Sequence, residues 1–409
     1  MNSSTLNNPA TTATGPSSPA PSWKRRAFVG GGVAVGAAAA ATLWRATSVG
    51  LIPRDDAPFE PWQAWETSPS GDPLSLVAAA ILAASPHNTQ PWLFHVQDDH
   101  IDVHADPFRS LGAMDPFGRE MWLGIGAAIA NIEIAALARG FAATTELLPA
   151  PRHDTLAARI GLRPAKGLPS TLAKVISKRR THRAAYDPAR RVPTVFLNFF
   201  SKDDNDDVRL VWLDANTEPG RAFAQATLAG TQQIVNDADM TADGHHWFRN
   251  HPRAVAEHRD GVSVPTAGIP PVMAALSSLL PAVDGKTSGQ YWLNATRTQL
   301  ASAPMYALLV VRDLHDRRGQ LLAGARWQRI HLQLTEMGLS AQPMNQLMEI
   351  VDRDRQLRRP SPTAESLQRW VGAAGGHATF AFRLGYAPES VPHSPRRPLQ
   401  AVVKTGGLR

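Results

Sequence analysis

The sequence predicts an α+β fold organised in two lobes. Helical and strand-like runs are mixed along the 409-residue chain without strict β-α-β alternation, which argues against a doubly wound parallel sheet. Each half contains a long apolar helix followed by strand-like runs, although the halves are not similar enough in residues to indicate a repeat. No Gly-x-Gly-x-x-Gly follows a predicted strand, so a Rossmann dinucleotide site has no support.

Composition excludes several classes of protein. The chain has no cysteine, which excludes disulfides, thiolate nucleophiles and cysteine-ligated metals. The formal charge of +7 favours anionic ligands and surfaces. The basic residues lie in several short clusters without interleaved aromatic residues, so we expect no nucleic-acid binding.

The N-terminal region has the layout of an export signal. Residues 1–22 form a Ser-, Thr- and Pro-rich leader that we expect to be disordered. Residues 23–48 then combine a basic start with a short Gly- and Ala-rich apolar run. The pair Arg25-Arg26 followed by Phe28 resembles a twin-arginine signal, with Lys24 in place of the usual serine.

This signal predicts export by the twin-arginine translocase, to the periplasm or to an outward-facing membrane-anchored position. Cleavage near Ala39–Ala41 and retention as an anchor both stay open, and the alternative is a buried Ala/Gly helix with a basic start. The twin-arginine route carries folded proteins, often with a cofactor already loaded. Residues 49–72 read as a linker whose Trp62 and Trp65 dock on the folded body.

The first lobe is expected at residues 73–165. Apolar spacing predicts a central buried helix over 119–140, and alternation predicts a hairpin of two strands around Gln97–His100. The other predicted elements are a helix over 74–84 and strands over 144–148 and 156–162.

The second lobe is expected at residues 166–403. It carries a predicted insertion, residues 237–298, that is the least regular part of the chain and that we interpret as a lid. The predicted helices cover 172–178, 195–200, 219–236, 317–337 and 361–371, and the predicted strands cover 208–213, 304–312 and 378–384.

The junction Ser85–Trp92 between the first helix and strand is bounded by Pro86 and Pro91. Each proline fixes its own φ and restricts the residue before it, which predicts a defined, non-helical loop. His87, Asn88, Thr89 and Gln90 stand between the prolines. The loop suits a binding edge, and the alternative is an ordinary connection capped by polar side chains.

Two basic clusters could bind a phosphate monoester if they meet in space. Arg179, Arg180 and Arg183 surround Thr181, and Arg396-Arg397 lie between prolines near the C-terminus. Guanidinium forks and a hydroxyl are good phosphate ligands. The alternative for each cluster is a solvated basic face.

Metal and hydrolytic sites have little support. Among the fourteen histidines no pair lies four residues apart on a predicted helix with a nearby carboxylate, and His100 and His104, which have this spacing, lie on a predicted strand, so we expect no metal. A Gly-x-Ser-x-Gly elbow is missing from the sequence.

As an ordered set, five motifs resemble the nitroreductase family of flavoproteins, and in particular its long single-chain branch with a twin-arginine signal. The first two are Ser85–Trp92 and Arg179-Arg180-Thr181-His182-Arg183. The others are Arg259-Asp260-Gly261, Ala341–Gln346, and Leu384-Gly385-Tyr386 with Pro395–Pro398.

The resemblance implies a nitroreductase-like α+β fold that binds FMN at a subunit interface. It implies a phosphate site of Arg179, Thr181 and Arg183 with Arg396 or Arg397. The loop Gln342-Pro343-Met344-Asn345 would lie beside the flavin ring. The partner-type loop would supply Ser85, Pro86, His87, Asn88 and Gln90, with Asn88 as the expected hydrogen-bond partner of the flavin.

The phosphate motif occurs only in the second half and the partner-type loop only in the first. The chain is therefore expected to be a monomer that folds as an intrachain pseudo-dimer with one FMN. The resemblance implies an exported FMN-dependent oxidoreductase that acts on a small aromatic, nitro or quinone-like substrate, with NAD(P)H as a candidate donor. No catalytic side chain can be named. The alternatives are a protein that stores or sequesters FMN with little turnover, and a membrane-associated structural partner that has lost flavin.

Overall fold

The computed structural model describes residues 38–51, 55–150, 154–269, 271–280, 283–372 and 375–404. The predicted leader and the Arg25-Arg26 pair lie outside these residues. Residues 38–48, which include the predicted cleavage positions, are helical. Helices and antiparallel sheets are both abundant, and the predicted α+β class is confirmed.

Two four-stranded antiparallel sheets form the framework. The strands of the first sheet are β1 (Trp92–Val96), β2 (His100–Ala105), β3 (Phe141–Leu147) and β4 (Leu156–Pro164). The strands of the second are β5 (Val208–Asp214), β6 (Met305–Val311), β7 (Ser340–Pro343) and β8 (His377–Gly385).

Besides the N-terminal helical segment 38–48, fourteen α-helices are assigned within the described residues. They are α1 (Glu60–Thr67), α2 (Leu74–Ala80), α3 (Arg119–Ala136), α4 (Thr171–Val175), α5 (Thr194–Ser201), α6 (Glu218–Asn236), α7 (Ala238–His246), α8 (Pro252–His258), α9 (Pro271–Leu279), α10 (Gly285–Ser302), α11 (Arg317–Glu336), α12 (Gln346–Gln356), α13 (Pro362–Val371) and α14 (Leu399–Val402).

The two sheets have the same topology, which the sequence did not reveal. Their orders are β1-β2-β4-β3 and β5-β6-β8-β7, with antiparallel pairing throughout. In each half a long helix, α3 or α11, lies between the second and third strands in sequence. The halves differ in the connection between their first two strands. A tight turn joins β1 to β2, whereas residues 215–304 form the connection between β5 and β6.

The two long helices pack against each other through glycines. A Cβ on Gly126 of α3 would overlap the carbonyl oxygen of Leu321, and a Cβ on Gly324 of α11 would overlap that of Leu123. The contacts are reciprocal, since each glycine faces the residue three positions before the other. The helix backbones can approach this closely only where side chains are missing.

The helix α3 lies at the centre of the first core. Within the described residues only the segment Arg119–Arg139 is long and apolar enough to cross a bilayer, and 78% of its apolar window is buried inside the protein. Apolar on nearly all sides, it packs between the first sheet, α2 and α11. A helix buried to this extent is part of the core of the folded protein.

Two predictions about irregular segments were wrong. The segment 237–298 contains helices α7, α8 and α9 and most of α10, joined by a two-residue parallel strand pair. Residues 60–67, assigned to a linker, form α1. Both were missed because short helices with Pro, Gly and His in their sequence lack a clear apolar period. The docking of Trp62 and Trp65 is confirmed, since both side chains are buried.

We expect Gly126→Ala and Gly324→Ala each to lower the free energy of unfolding by about 1–3 kcal/mol through overpacking. Alanine is otherwise favoured over glycine inside a helix, so a destabilisation reports the helix crossing and not helix propensity. Urea unfolding measures the change. Gly161→Ala on β4 is the control, because its Cβ would meet only the Thr144 carbonyl oxygen at 3.8 Å. Equal effects at all three positions would contradict the close crossing.

Candidate functional site

The loop Ser85–Trp92, here called the proline loop, has a strained backbone. His87, Asn88 and Gln90 have φ values of 45°, 56° and 53°, in the left-handed region that side chains disfavour. Three of the six non-glycine residues with positive φ in the described chain lie here. Such strain costs on the order of 1–3 kcal/mol per residue and persists only where surrounding contacts impose it.

The two long helices supply part of that support. Gln328 of α11 accepts a hydrogen bond from the Ala84 amide at 3.2 Å, at the start of the loop. Its Nε2 donates to Asn131 of α3 at 2.9 Å. Within the loop, the Gln90 amide donates to Ser85 Oγ at 3.0 Å. Pro86 packs against Gly124 of α3.

Asn88 joins three distant parts of the chain. Its Nδ2 donates to the carbonyl oxygens of Gly261 at 3.1 Å and Pro395 at 3.0 Å, and its Oδ1 accepts from Arg396 at 2.6 Å. The Gly261 amide donates back to the Asn88 carbonyl at 3.2 Å. The side-chain amide thus has protein partners at both ends, and its predicted bond to flavin stays a prediction.

The adjacent residues Arg396 and Arg397 have different surroundings. Arg397 donates to the Gln90 carbonyl at 3.2 Å and lies 3.6 Å from Asp106, so it has a carboxylate nearby. Arg396 is buried, and among the described residues it forms no ion pair. The sequence left open which of the two belongs to a phosphate site, and the structure places Arg396 beside the other unpaired arginines.

Arg179, Arg180 and Arg396, here called the arginine cluster, gather around one indole ring. Their Cζ atoms lie 5.8, 5.8 and 4.6 Å from the centroid of Trp62. His393 stacks on the same ring at 4.3 Å, and Trp62 Nε1 donates to the Ser394 carbonyl at 2.8 Å. The segment before the first lobe therefore closes one side of the cluster, a role that the sequence indicated only as docking.

The arginine cluster is buried without a compensating carboxylate among the described residues. Burial, and then the charges of Arg180 and Arg183, lower the pKa of Arg179 to about 9. Burial lowers the pKa of Arg180 to about 10. For Arg396, burial and then Arg179 and Arg180 lower the pKa well below its ordinary value. Guanidinium groups stay protonated in proteins, so these shifts express the cost of burying like charges together.

Each member of the cluster also has an unused hydrogen-bond donor. The Nε atoms of Arg179, Arg180 and Arg396 are buried without a partner. Buried polar groups are normally hydrogen-bonded, and three orphaned donors on cations that gather around one ring call for an anion with several acceptor oxygens. A phosphate group has this chemistry. The side chains present therefore fit a phosphate-bearing ligand.

Arg183 contacts the segment 237–298, and Thr181 contacts the second sheet. Arg183 Nη1 donates to the Thr266 carbonyl at 3.0 Å. Burial, and then the charge of Arg183, lower the pKa of His87 to about 4, so His87 is neutral at physiological pH. Thr181 forms an isolated bridge with Ala341 of β7. The motif from the second half thus meets the proline loop from the first.

The Gln342–Asn345 segment is held by the second sheet. Gln342 accepts from Arg383 at 2.7 Å and donates to Gln299 at 3.0 Å. Pro343 pairs with Phe382 of β8, and the buried Met344 donates its amide to the Ala381 carbonyl at 2.7 Å. Asn345 Oδ1 accepts from the Ala381 amide at 2.9 Å. Fixed hydrogen bonds therefore give this predicted ring-side segment one orientation.

A buried carboxyl cluster lies behind Asn345, and sequence reasoning missed it. Asp115, Glu120, Glu349 and Asp352 surround one guanidinium, that of Arg119. Arg119 donates to Asp352 at 2.6 Å, whereas Glu349 Oε2 has no partner. Four charged carboxylates cannot be buried with one cation, so the cluster must retain protons.

Burial raises the pKa of three acids in this cluster, Asp115, Glu120 and Glu349. Burial, and then the neighbouring acid Asp115 against the opposing charge of Arg119, raise the pKa of Glu120 to about 7. Burial and Glu120 raise the pKa of Glu349 well above its ordinary value. Glu120 is hydrogen-bonded to the Asn345 side chain. The orientation of the predicted ring-side segment is thus linked to a protonated carboxyl.

Comparison with known proteins gives the following similarities. No family model matches the chain. It is 28% identical over 346 residues to the Mycobacterium tuberculosis protein "Putative NAD(P)H nitroreductase Rv3131", covering 81% of this chain and 90% of the relative. A second relative from that organism, "Uncharacterized protein Rv3127", is 23% identical over 341 residues, covering 80% and 91%.

Among solved structures, the FMN-dependent nitroreductase NfnB from Mycobacterium smegmatis in complex with NADPH is 17% identical. Its TM-score is 0.35, over 58% of this chain and 98% of that chain. A nitroreductase with bound FMN from Desulfitobacterium hafniense is 14% identical with a TM-score of 0.33, over 59% and 100%. We base the fold assignment on the strand order and helix packing described above.

The Glu120 carboxyl predicts a pH-dependent stability. Between pH 4.5, its ordinary pKa, and about 7, the folded protein holds a proton that the unfolded chain has released. Its contribution to the free energy of unfolding therefore falls as pH rises through that window. The difference in the free energy of unfolding between Glu120→Gln and the parent should therefore shift in favour of the variant as pH rises from about 5 to about 8. Urea unfolding at each pH measures this difference. The exposed Glu146→Gln is the control, and a pH-independent difference for Glu120→Gln would contradict the assignment.

Proposed function

We propose that the protein is an FMN-dependent oxidoreductase of the nitroreductase type that acts on a small aromatic, nitro or quinone-like substrate. The observation that carries the proposal is the arginine cluster, with its buried charges and three orphaned Nε donors. The names of the sequence relatives and of the solved neighbours support the same assignment, since they include NAD(P)H nitroreductases and FMN-bound nitroreductases.

The FMN phosphate would be held by the arginine cluster, with Thr181 and Arg183 completing the motif from the second half. The Gln342–Asn345 segment and the proline loop would border the ring. Bound FMN would supply two-electron chemistry, for which NAD(P)H is the candidate donor. The protein supplies position and electrostatics: the neutral His87 adds no charge beside Arg183, and the fixed amides of the ring-side segment orient the cofactor.

The repeated topology supports a monomeric pseudo-dimer with one FMN per chain. In the first half the proline loop precedes β1, and in the second half residues 202–207 precede β5. That second loop carries Asp203, Asp204, Asp206 and Asp207 and borders a cavity of about 560 Å³.

Two arginines of the second cleft are paired with carboxylates, in contrast to the arginine cluster. Arg326 bonds Asp204 at 2.5 Å, and Arg329 bonds Glu133. The acidic loop is unsuited to a phosphate, because its aspartates repel an anion and these two guanidinium charges are already neutralised.

Export by the twin-arginine translocase is the proposed route, and it would leave the protein in the periplasm or in a membrane-anchored position that faces outward. It rests on the basic and apolar sequence of residues 23–48 and on the absence of cysteine from the chain. In the structure the helical residues 38–48 lie against the lid, since Arg45 donates to the Leu279 carbonyl at 3.0 Å.

One observation favours the alternative of flavin storage with little turnover. The lid, residues 237–298, is bonded to the site at three places. Besides the Asn88–Gly261 pair and the Arg183–Thr266 bond, Gln90 Nε2 donates to the Arg259 carbonyl at 2.9 Å. A lid fastened in this way would hold FMN and hinder access by a donor or substrate.

Arg179→Met tests the phosphate site. Losing one charge-assisted contact should weaken FMN binding about tenfold to a hundredfold. The apoprotein should unfold at the same or a higher urea concentration, because Arg179 makes one backbone hydrogen bond, to Leu82, and is repelled by its neighbours. Fluorescence titration with FMN and urea unfolding measure both. The exposed Arg191→Ala is the control. Loss of apoprotein stability with unchanged FMN affinity would make the arginine structural.

Anaerobic mixing with NAD(P)H distinguishes an oxidoreductase from a protein that stores flavin. The purified protein should show flavin absorption, with one FMN per monomeric chain by native mass spectrometry. Bleaching of the flavin within seconds would support the oxidoreductase. An unchanged spectrum would favour storage, two FMN per chain would contradict the pseudo-dimer assignment, and a protein that neither carries nor binds FMN would favour the structural partner.

A further inference from the structure

The lid carries a group of apolar side chains that face solvent. Four residues of α9 and its end contribute to it, Val272, Met273, Leu276 and Leu280, and the N-terminal helix adds Leu43 and Trp44. The relative exposure of these six residues ranges from 54% to 72%. We call them the lid apolar face.

The spacing along α9 places its members on one side. Val272, Leu276 and Leu280 follow at intervals of four, which is the period of one helix face, and Met273 lies beside them. Ala274, on another side of the helix, is buried. Val272, Met273 and Leu276 of α9 are therefore turned away from the protein, whereas the small Ala274 packs against it.

The N-terminal helix extends this surface. Arg45 donates through Nε to the Leu279 carbonyl at 3.0 Å and through Nη2 to the Leu280 carbonyl at 3.1 Å. These bonds fasten residues 38–48 to the C-terminal end of α9. Arg253 strengthens the attachment, since its amide donates to the Val49 carbonyl at 2.8 Å. Leu43 and Trp44, directly before Arg45, are exposed on the helix that these bonds attach to the end of α9.

We propose that the lid apolar face docks on the surface of a lipid bilayer. Exposed apolar side chains grouped on a protein surface mark an interaction site, and burial of such side chains at the acyl boundary binds a helix to a membrane interface. The sequence directly before the N-terminal helix indicates the occupant. Residues 30–37 are apolar and follow the basic run Lys24-Arg25-Arg26, so the attached chain has its own affinity for a membrane with anionic lipids.

Docking would act on the candidate site through a short connection. Thr266, whose carbonyl accepts from Arg183, precedes α9 by five residues. Gly268 lies between them and abuts the Arg183 backbone so closely that a Cβ there would overlap it. A bilayer that binds α9 therefore contacts the same segment that covers the site. This coupling rests on the proposed flavin site, whereas the docking itself does not.

The cysteine-free chain makes the test specific, because one introduced cysteine is the only labelling position. The full chain with Leu276→Cys is labelled with an environment-sensitive nitrobenzoxadiazole dye and mixed with vesicles of phosphatidylcholine and phosphatidylglycerol. We expect a blue-shifted emission that doxyl-labelled lipids quench. The same dye in Val195→Cys, an exposed apolar position on α5, should respond to neither.

The double variant Val272→Asp, Leu276→Asp should partition onto these vesicles at least about tenfold more weakly than the parent in a flotation assay. The proposal is overturned if the dye in Leu276→Cys stays accessible to aqueous iodide when the protein is vesicle-bound, since residues 23–43 alone would then bind lipid. It is also overturned if the blue shift appears without vesicles and grows with protein concentration, because a second copy would then cover this face. Neither readout depends on FMN.

Discussion

The close crossing of α3 and α11 is the constraint on which the candidate site depends. Two glycines let the helix backbones touch, and this contact brings Gln328 to the start of the proline loop and to Asn131. The loop from the first half and the arginine motif from the second are then held against one another. A larger residue at either glycine would separate the halves and open the site between them.

The two halves share a topology but differ in chemistry. Equivalent loops lead into β1 and β5, yet one carries imidazole and amide groups in a strained backbone and the other carries four aspartates. The arginine cluster near the first loop forms no ion pair among the described residues, whereas Arg326 and Arg329 near the second loop are paired with carboxylates. Identical packing rules can therefore support two clefts of which one suits a phosphate, because fold and ligand chemistry are set by different residues.

The arginine cluster and the carboxyl cluster are opposite examples of one electrostatic problem. Burial raises the free energy of any charge that lacks a partner. The carboxyl cluster lowers its charge by retaining protons on Glu120 and Glu349. Arginine cannot release its proton in the same way at physiological pH, so the cationic cluster needs an external anion. This difference is the reason we propose the arginines as a binding site and the acids as structural support behind Asn345.

The sequence by itself determined the α+β class, most strands and long helices, and the local chemistry of the proline loop and of the arginine motif. These follow from apolar periods and from proline geometry, which act over short stretches of chain. Only the tertiary structure decided that the two sheets repeat, that Arg396 and not Arg397 joins the cluster, and that Trp62 covers it. The carboxyl cluster and the apolar face of α9 were likewise invisible in the sequence. Each depends on how distant parts of the chain pack against one another, because this packing sets which side chains are buried, exposed or paired.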